Sequence, residues 1–330
     1  MTPSQIAAAL GTLLSIGQPV FLWGPPGVGK SQVVAQVARK RGLELRDIRA
    51  VLLDPVDLRG LPRITEQGEA VWCPPGFLPG KNAAKRGIIF LDELNAAPPM
   101  VQAACYQLIL DRRIGEYELP NGWSVVAAGN REKDKAVTHR MPSALANRMV
   151  HLDFDVHLDD WLVWAQHAGI RPEVTAFLRF RPKLLHDFDP AGASKAFASP
   201  RSWEFVSRML EASPPADIEH ELFQGAVGRG AAAEFSGFLR VWRELPSIED
   251  VMENPDSVPV PSEPAALYAL CEALGDRAAQ DTIRPLTVFA ERLPAEFSVL
   301  LMRDGVCRDA SLVYSEAFSH WAERNAEVLV

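Results

Sequence analysis

The chain lacks any apolar run approaching the ~18 residues of a membrane span, although 48% of its 330 residues are hydrophobic. A membrane-spanning role is therefore not expected. It also lacks a C-x-x-C pair. Cys73, Cys105, Cys271 and Cys307 are scattered along the chain, as expected for unpaired thiols in a reducing cytoplasm rather than a disulfide framework or a zinc site. No Lys or Arg precedes Lys30, so no signal or transit peptide is expected. Lysine is absent from residues 211–330, where 21 acids face 9 bases for a net of −12, against +4 for residues 1–210. An acidic region of that size repels nucleic acid and anionic membrane. It suits a basic partner, and solvation alone also accounts for surface acids.

What is present is a sequence of strands and helices. Residues 18–23 (QPVFLW), 43–50, 87–91 (GIIFL), 124–128 and 150–154 predict five strands, and helical stretches fall between them at 30–41 and 98–112. Strands alternating with helices predict an α/β fold with a parallel sheet through about residue 156. Residues 61–64 and 70–72 flank Gln67-Gly68 as a β-hairpin. Residues 114–117 and 123–127 enclose a second hairpin-like turn, Leu119-Pro120-Asn121-Gly122. Beyond 156 the strand signals stop and helical patterns take over. The expected division is an α/β domain over 1–156, a helical domain over 157–248, a Pro-rich acidic linker over 249–264 and a C-terminal helical module over 265–330.

Three motifs carry chemistry. Gly24-Pro25-Pro26-Gly27-Val28-Gly29-Lys30-Ser31 fits G-x-x-x-x-G-K-[ST], between a predicted strand and a predicted helix that continues through Gln32. Glycines there let backbone N–H groups turn onto phosphate oxygens. Lys30 reaches the β- and γ-phosphates, and the Ser31 hydroxyl ligates Mg²⁺. An ordinary Gly-rich turn does not explain that context. About 60 residues later the strand Ile88-Ile-Phe-Leu-Asp92-Glu93 ends in two acids. Asp92 would hold Mg²⁺ through water, and Glu93 would orient and deprotonate the attacking water. The strand Val125-Val-Ala-Ala-Gly-Asn130 delivers an amide suited to the lytic water or the γ-phosphate. On its own it would be an Asn in a turn.

The order of these motifs resembles the AAA+ superfamily, and their wording resembles the MoxR-type ATPases. The residues concerned are GPPGVGKS, Leu53-Asp-Pro-Val-Asp-Leu-Arg-Gly60, IIFLDELNAAPP at 88–99, Arg113-Ile-Gly-Glu116, AAGN at 127–130 and PSALANRM at 142–149. The likeness covers about 20–210. It implies a P-loop NTPase core with an α-helical lid, to which this chain adds a further C-terminal helical region. By that resemblance Asn130 corresponds to sensor 1, Arg148 to an arginine finger offered to a neighbour's ATP, and Arg201 of Ser199-Pro-Arg201 to the lid's sensor 2. Arg140 also lies near the finger position. The 61–72 hairpin resembles the helix-2 insert, and the 113–124 turn the pre-sensor hairpin. The resemblance further implies ATP and Mg²⁺ as ligands, a hexameric ring, a von Willebrand factor A-type partner and a protein client.

Three kinds of ATPase fit these motifs: a remodelling chaperone, a nucleic-acid motor, and an ATP-dependent switch with little turnover. A hairpin that grips phosphates needs a basic surplus. Residues 61–72 carry one Arg and two Glu, and 112–123 two Arg and two Glu, so no nucleic acid is expected as partner. An intact Glu93 argues against the switch. His139, His151 and His157 lie close in sequence without supporting carboxylate or thiol spacing, as surface or strand-edge histidines do. Trp161 and Trp164 suit a core better than a binding cage. Arg179, Arg181 and Lys183 form the best basic cluster, expected as a solvated face.

Overall fold

A computed structural model describes residues 1–80, 82–134, 139, 141, 143–192 and 194–326. Two compact units emerge, residues 1–161 with 188–193 and residues 162–187 with 194–330.

The first unit opens with helix α1 (Pro3–Ser15), whose Thr2 and Gln5 form a capping box that satisfies two otherwise orphaned N–H groups. There follow β1 (Val20–Trp23), α2 (Lys30–Lys40), β2 (Glu44–Arg49), α3 (Pro55–Arg59), the hairpin β3 (Leu61–Ile64) and β4 (Ala70–Cys73), and β5 (Gly87–Asp92). Then come α4 (Pro99–Asp111), the two-residue strands β6 (Arg113–Ile114) and β7 (Tyr117–Glu118), β8 (Trp123–Gly129), α5 (Ser143–Ala146), β9 (Val150–Asp153) and α6 (Leu158–Ala168), which runs on past the end of the unit.

Five strands form one parallel sheet in the order β2-β5-β8-β1-β9. Its apolar strands are buried on both faces, as parallel strands covered by helices are. Alternate residues serve opposite cores. Val20, Leu22, Ile88, Phe90, Val126 and Ala128 pack with Ile6 and Leu10 of α1 and Val33, Val34 and Val37 of α2. Phe21, Ile89, Leu91, Val125 and Ala127 pack with Val101, Cys105, Leu108 and Ile109 of α4. Each fully buried Leu, Ile or Phe contributes about 1.5–3 kcal/mol, so the sheet is well held where its strands end at the site.

The second hairpin differs from expectation. Strand β6 pairs with β7 around Gly115, whose φ is +56°, and residues 123–129 leave it for the parallel sheet. The turn at 119–122 does form, with the Trp123 N–H donating to the Pro120 carbonyl at 3.2 Å, but Trp123 lies opposite Gly87 of β5 and not opposite residues 114–117.

The second unit is helical: α7 (Pro172–Phe180), α8 (Pro200–Glu211), α9 (Ala216–Val227), α10 (Arg229–Arg243), α11 (Ile248–Glu253), α12 (Pro264–Gly275), α13 (Ile283–Ala290), α14 (Ala295–Arg308) and α15 (Glu316–Arg324). Residues 249–264, expected as a linker, are instead folded in. Val251 and Val258 enter one core with Leu267, Leu270, Phe289, Leu301 and Trp321. Proline and acid content suggested a linker, but two valines are enough to anchor such a segment when a core lies beside it. Residues 265–330 are likewise continuous with the rest, since α12 packs on α7.

Arg179 belongs to that contact and not to a solvated face. Its side chain is 13% exposed and pairs with Glu272 at 3.2 Å and Asp304 at 2.7 Å. Thr175 Oγ1 donates to Glu272 at 2.8 Å. Burial pushes both carboxyls up from their ordinary values, against the pull of Arg179. Arg179→Met would remove the cation that both buried carboxylates share, leaving Glu272 without its ion pair and Asp304 with only Arg303 at 3.7 Å, a loss of about 3–5 kcal/mol at neutral pH. Their raised folded-state pKa values mean that the folded form binds the extra protons, so stability returns as pH falls through those values. Urea unfolding of the variant at pH 7 and pH 5 measures both effects. Equal deficits at the two pH values would show that the carboxylates are not the cause.

Among the described residues, no helix is long and apolar enough to cross a membrane.

Candidate nucleotide site

Strand β1 ends at Trp23, and the chain turns through Gly24–Gly29 into α2. Gly29 has φ +98° and caps α2 without any side-chain hydrogen bond. Only a residue lacking Cβ adopts that backbone freely. The first N–H groups of α2 are thereby left for an anion, reinforced by the helix dipole. The N–H of Gly24 donates to the Gly129 carbonyl at 3.3 Å, tying the loop's start to the end of β8.

Lys30 and Asn130, 100 residues apart, meet. Lys30 Nζ donates to the Gly24 carbonyl at 2.7 Å, the Pro25 carbonyl at 3.0 Å and Asn130 Oδ1 at 3.1 Å. Ser31 Oγ donates to Asp92 Oδ2 at 2.8 Å. The other Asp92 oxygen accepts the Glu93 N–H at 2.9 Å. Glu93 itself is exposed and left-handed, at φ 55°. That conformation costs a side-chain-bearing residue roughly 1–2 kcal/mol, and it directs the chain sharply away from the sheet immediately after Asp92. The parallel order puts β1, β5 and β8 side by side, so the phosphate loop, the acid pair and Asn130 all issue from their carboxyl ends, where open α/β sheets bind ligands.

The donor set fits a magnesium nucleotide. A hydroxyl and a carboxylate already in contact supply the hard oxygen ligands that Mg²⁺ prefers. Uncapped helix N–H groups beside a Lys ammonium match a polyphosphate.

Arg148 lies two residues after α5 and is exposed. Its backbone carbonyl accepts from Gln18 Nε2 at 3.3 Å, and its guanidinium has no hydrogen bond or ion pair among the described residues. Arg140 lies outside the described residues. Arg201 sits in the exposed first turn of α8, following the Ser199 cap, and belongs to the second unit. His151 accepts the Trp23 indole N–H at Nδ1, 2.9 Å away, so its Nε2–H donates to the Ala146 carbonyl at 2.8 Å. It thereby connects the residue before the phosphate loop with α5.

Two residues escaped the sequence reading. Arg131, next to Asn130, bonds Asp153 at 3.2 Å, the Phe154 carbonyl at 3.0 Å and Asp155 at 2.8 Å. It pins the exit of β8 to the end of β9 and holds the Asp155 carboxyl below its ordinary value. Asn95, in the turn after Glu93, is 3% exposed, and its Nδ2 donates to the Asn130 carbonyl at 2.7 Å. A lone amide amid Leu94, Ala96 and Ala97 was the available signal.

Fold and site together have the arrangement of a phosphate-loop nucleotide-binding domain. Residues 19–149 match the family model of the AAA domain, dynein-related subfamily. NorQ of Paracoccus denitrificans is 32% identical over 146 residues, a match covering 42% of this chain and 52% of NorQ. The human ATPase family gene 2 protein homolog B is 35% identical over 140 residues, covering 39% of this chain and 17% of that protein. These matches therefore span about half of one relative and about a sixth of the other. Among solved structures, NtrX of Brucella abortus in complex with ADP is similar at 17% identity and a TM-score of 0.44, covering 99% of this chain and 68% of that one. Residues 19–149 are thus similar to AAA domains, and part of the chain is similar to NorQ.

Proposed function

We propose that this protein hydrolyses Mg-ATP and uses the energy to remodel, assemble or activate a protein client, as a ring in the cytoplasm with a von Willebrand factor A-type partner. The Lys30–Asn130 and Ser31–Asp92 contacts support the ATPase part. Ser31 and Asp92 would hold Mg²⁺, which supplies charge neutralisation on the phosphate oxygens when bound. Lys30 and the N–H groups of α2 bind the polyphosphate, Glu93 takes a proton from water, and Asn130 orients that water or the γ-phosphate. Arg148 and Arg201 are proposed as finger and second sensor.

One observation carries the reading toward a protein client. The hairpin β3–β4 is exposed along both strands. Leu61 is 69% and Ile64 75% exposed, with Trp72 at 40%. An isolated two-stranded hairpin is marginal in water, and an apolar one without basic surplus fits a polypeptide surface better than phosphates.

Two experiments test the proposal. Lys30→Ala should lose ATP binding at least about tenfold in calorimetry, because it removes a ground-state phosphate contact. Wild-type affinity in that variant rejects the site. Affinity capture of the ATP-locked protein from its own cells should recover a von Willebrand-type protein, and loss of that capture on replacing residues 62–72 by a Gly-Ser turn would tie it to the hairpin. Recovery of nucleic acid alone would favour the motor reading.

A further inference from the structure

Asn95 is a buried amide with no role in the chemistry above. Its Nδ2 donates to the Asn130 carbonyl, whereas its Oδ1 has no hydrogen-bond partner among the described residues. That oxygen faces Gly129 so closely that a Cβ built there would lie 2.1 Å away. The carboxamide therefore lies flat against the Gly129–Asn130 segment, and any side chain at 129 would expel it. Burying an amide with one group unsatisfied is costly, and an apolar residue of similar size would fill the space without that cost. What only an amide supplies here is the N–H aimed at the Asn130 carbonyl.

We propose that Asn95 is a positioning residue, setting the backbone of Asn130 so that its side-chain amide stays against Lys30. The inference rests on the ATPase reading of the site. Asn130 is the first residue beyond β8, where the sheet ladder no longer constrains its backbone. The Asn95 bond replaces that constraint. The turn bearing Asn95 is itself held from α4: Gln102 Nε2 donates to the Ala97 carbonyl at 2.9 Å and the Asn95 carbonyl at 3.4 Å, and the Tyr106 hydroxyl bonds Gln102 Oε1. Gln102 is 3% exposed. Glu93 begins the same turn, so the acid after β5 and the amide after β8 share one support.

The test is a double-mutant cycle on the full chain. Asn95→Ala should lower kcat about 10- to 100-fold with KM within about threefold, since misplacing a catalytic group by an ångström has effects of that size. Asn95→Asp keeps the shape and removes the donor, and it should behave like Asn95→Ala. Asn95→Ala combined with Asn130→Ala should be within about twofold of Asn130→Ala alone, as expected when one residue acts through the other. Wild-type kcat in either Asn95 variant, or effects that multiply in the double variant, overturns the proposal. A thermal melt accompanies each variant, and Asn95→Ser replaces Asn95→Ala if that protein does not fold. The ATPase reading fails separately, if wild-type protein turns over no ATP. In that case the preference for ATP over ADP, measured at equilibrium, decides: Asn95→Ala and Asn130→Ala should reduce it equally, and an unchanged preference in Asn95→Ala overturns the inference.

Discussion

Arg148→Ala should bind ATP normally and hydrolyse it about 10³- to 10⁵-fold more slowly, the range an arginine finger spans in related phosphoryl transfers. The proposed nucleotide site within one chain has Lys30, Ser31, Asp92, Glu93 and Asn130, and among the described residues no arginine hydrogen-bonds or ion-pairs with the side chains of Ser31, Asp92, Glu93 or Asn130. Arg148 is exposed and its guanidinium is unengaged among those residues, as an arginine meant for a neighbour would be. A finger supplied in trans needs a head-to-tail interface, which closes into a ring when the rotation permits. Mixing separates the two arrangements. Glu93→Gln subunits have a dead site and a sound finger, and Arg148→Ala subunits the reverse. Random exchange at equal ratio makes about a quarter of interfaces competent in a closed ring, so activity should reappear from two inactive proteins. If subunits exchange and no activity returns, Arg148 is not the trans finger and Arg140 becomes the candidate.

Glu93→Gln should retain Mg-ATP affinity while turnover falls at least about 10²-fold, the usual contribution of a general base. The carboxylate is exposed on a left-handed turn immediately after Asp92. Its backbone N–H is already committed to Asp92 Oδ1, so the substitution leaves the Asp92–Ser31 contact in place and removes only the base. Rapid-quench measurement of bound nucleotide distinguishes slow chemistry from slow release. Near-wild-type turnover would take the base away from Glu93.

The two results together bear on how the site is shared. Loss of turnover with retained binding in both variants, and recovery on mixing, requires a base from one chain and a cation from the next. Loss without recovery, where subunits are shown to exchange, removes Arg148 from the trans role. A ring's stoichiometry is then a matter for mass measurement, with six expected from the family resemblance.

The α/β core was legible because local and long-range demands agree there. The runs at 18–23, 87–91 and 124–128 are apolar on both sides of the pleat, and only a helix-covered parallel sheet buries both sides. The phosphate loop is contiguous in sequence, so its pattern can be seen without the fold. Residues 249–264 were misjudged because composition is a local average, whereas Val251 and Val258 are anchored by residues up to 70 positions away. Arg179 was misjudged for the same cause: its partners Glu272 and Asp304 lie on α12 and α14, 93 and 125 residues on.

By itself the sequence determined the groups proposed for nucleotide chemistry: a Lys and a Ser at the start of one helix, two acids at the end of one strand, an amide at the end of another. Those groups are set by short patterns in which backbone conformation and residue type are chosen together, within six or eight residues. Tertiary structure alone decided that strand β8 lies between β1 and β5, which brings Asn130 to Lys30, and that Asn95 lies beneath Asn130. Strand order is chosen by how apolar faces 30 to 100 residues apart can be buried at once, and no local pattern encodes that choice.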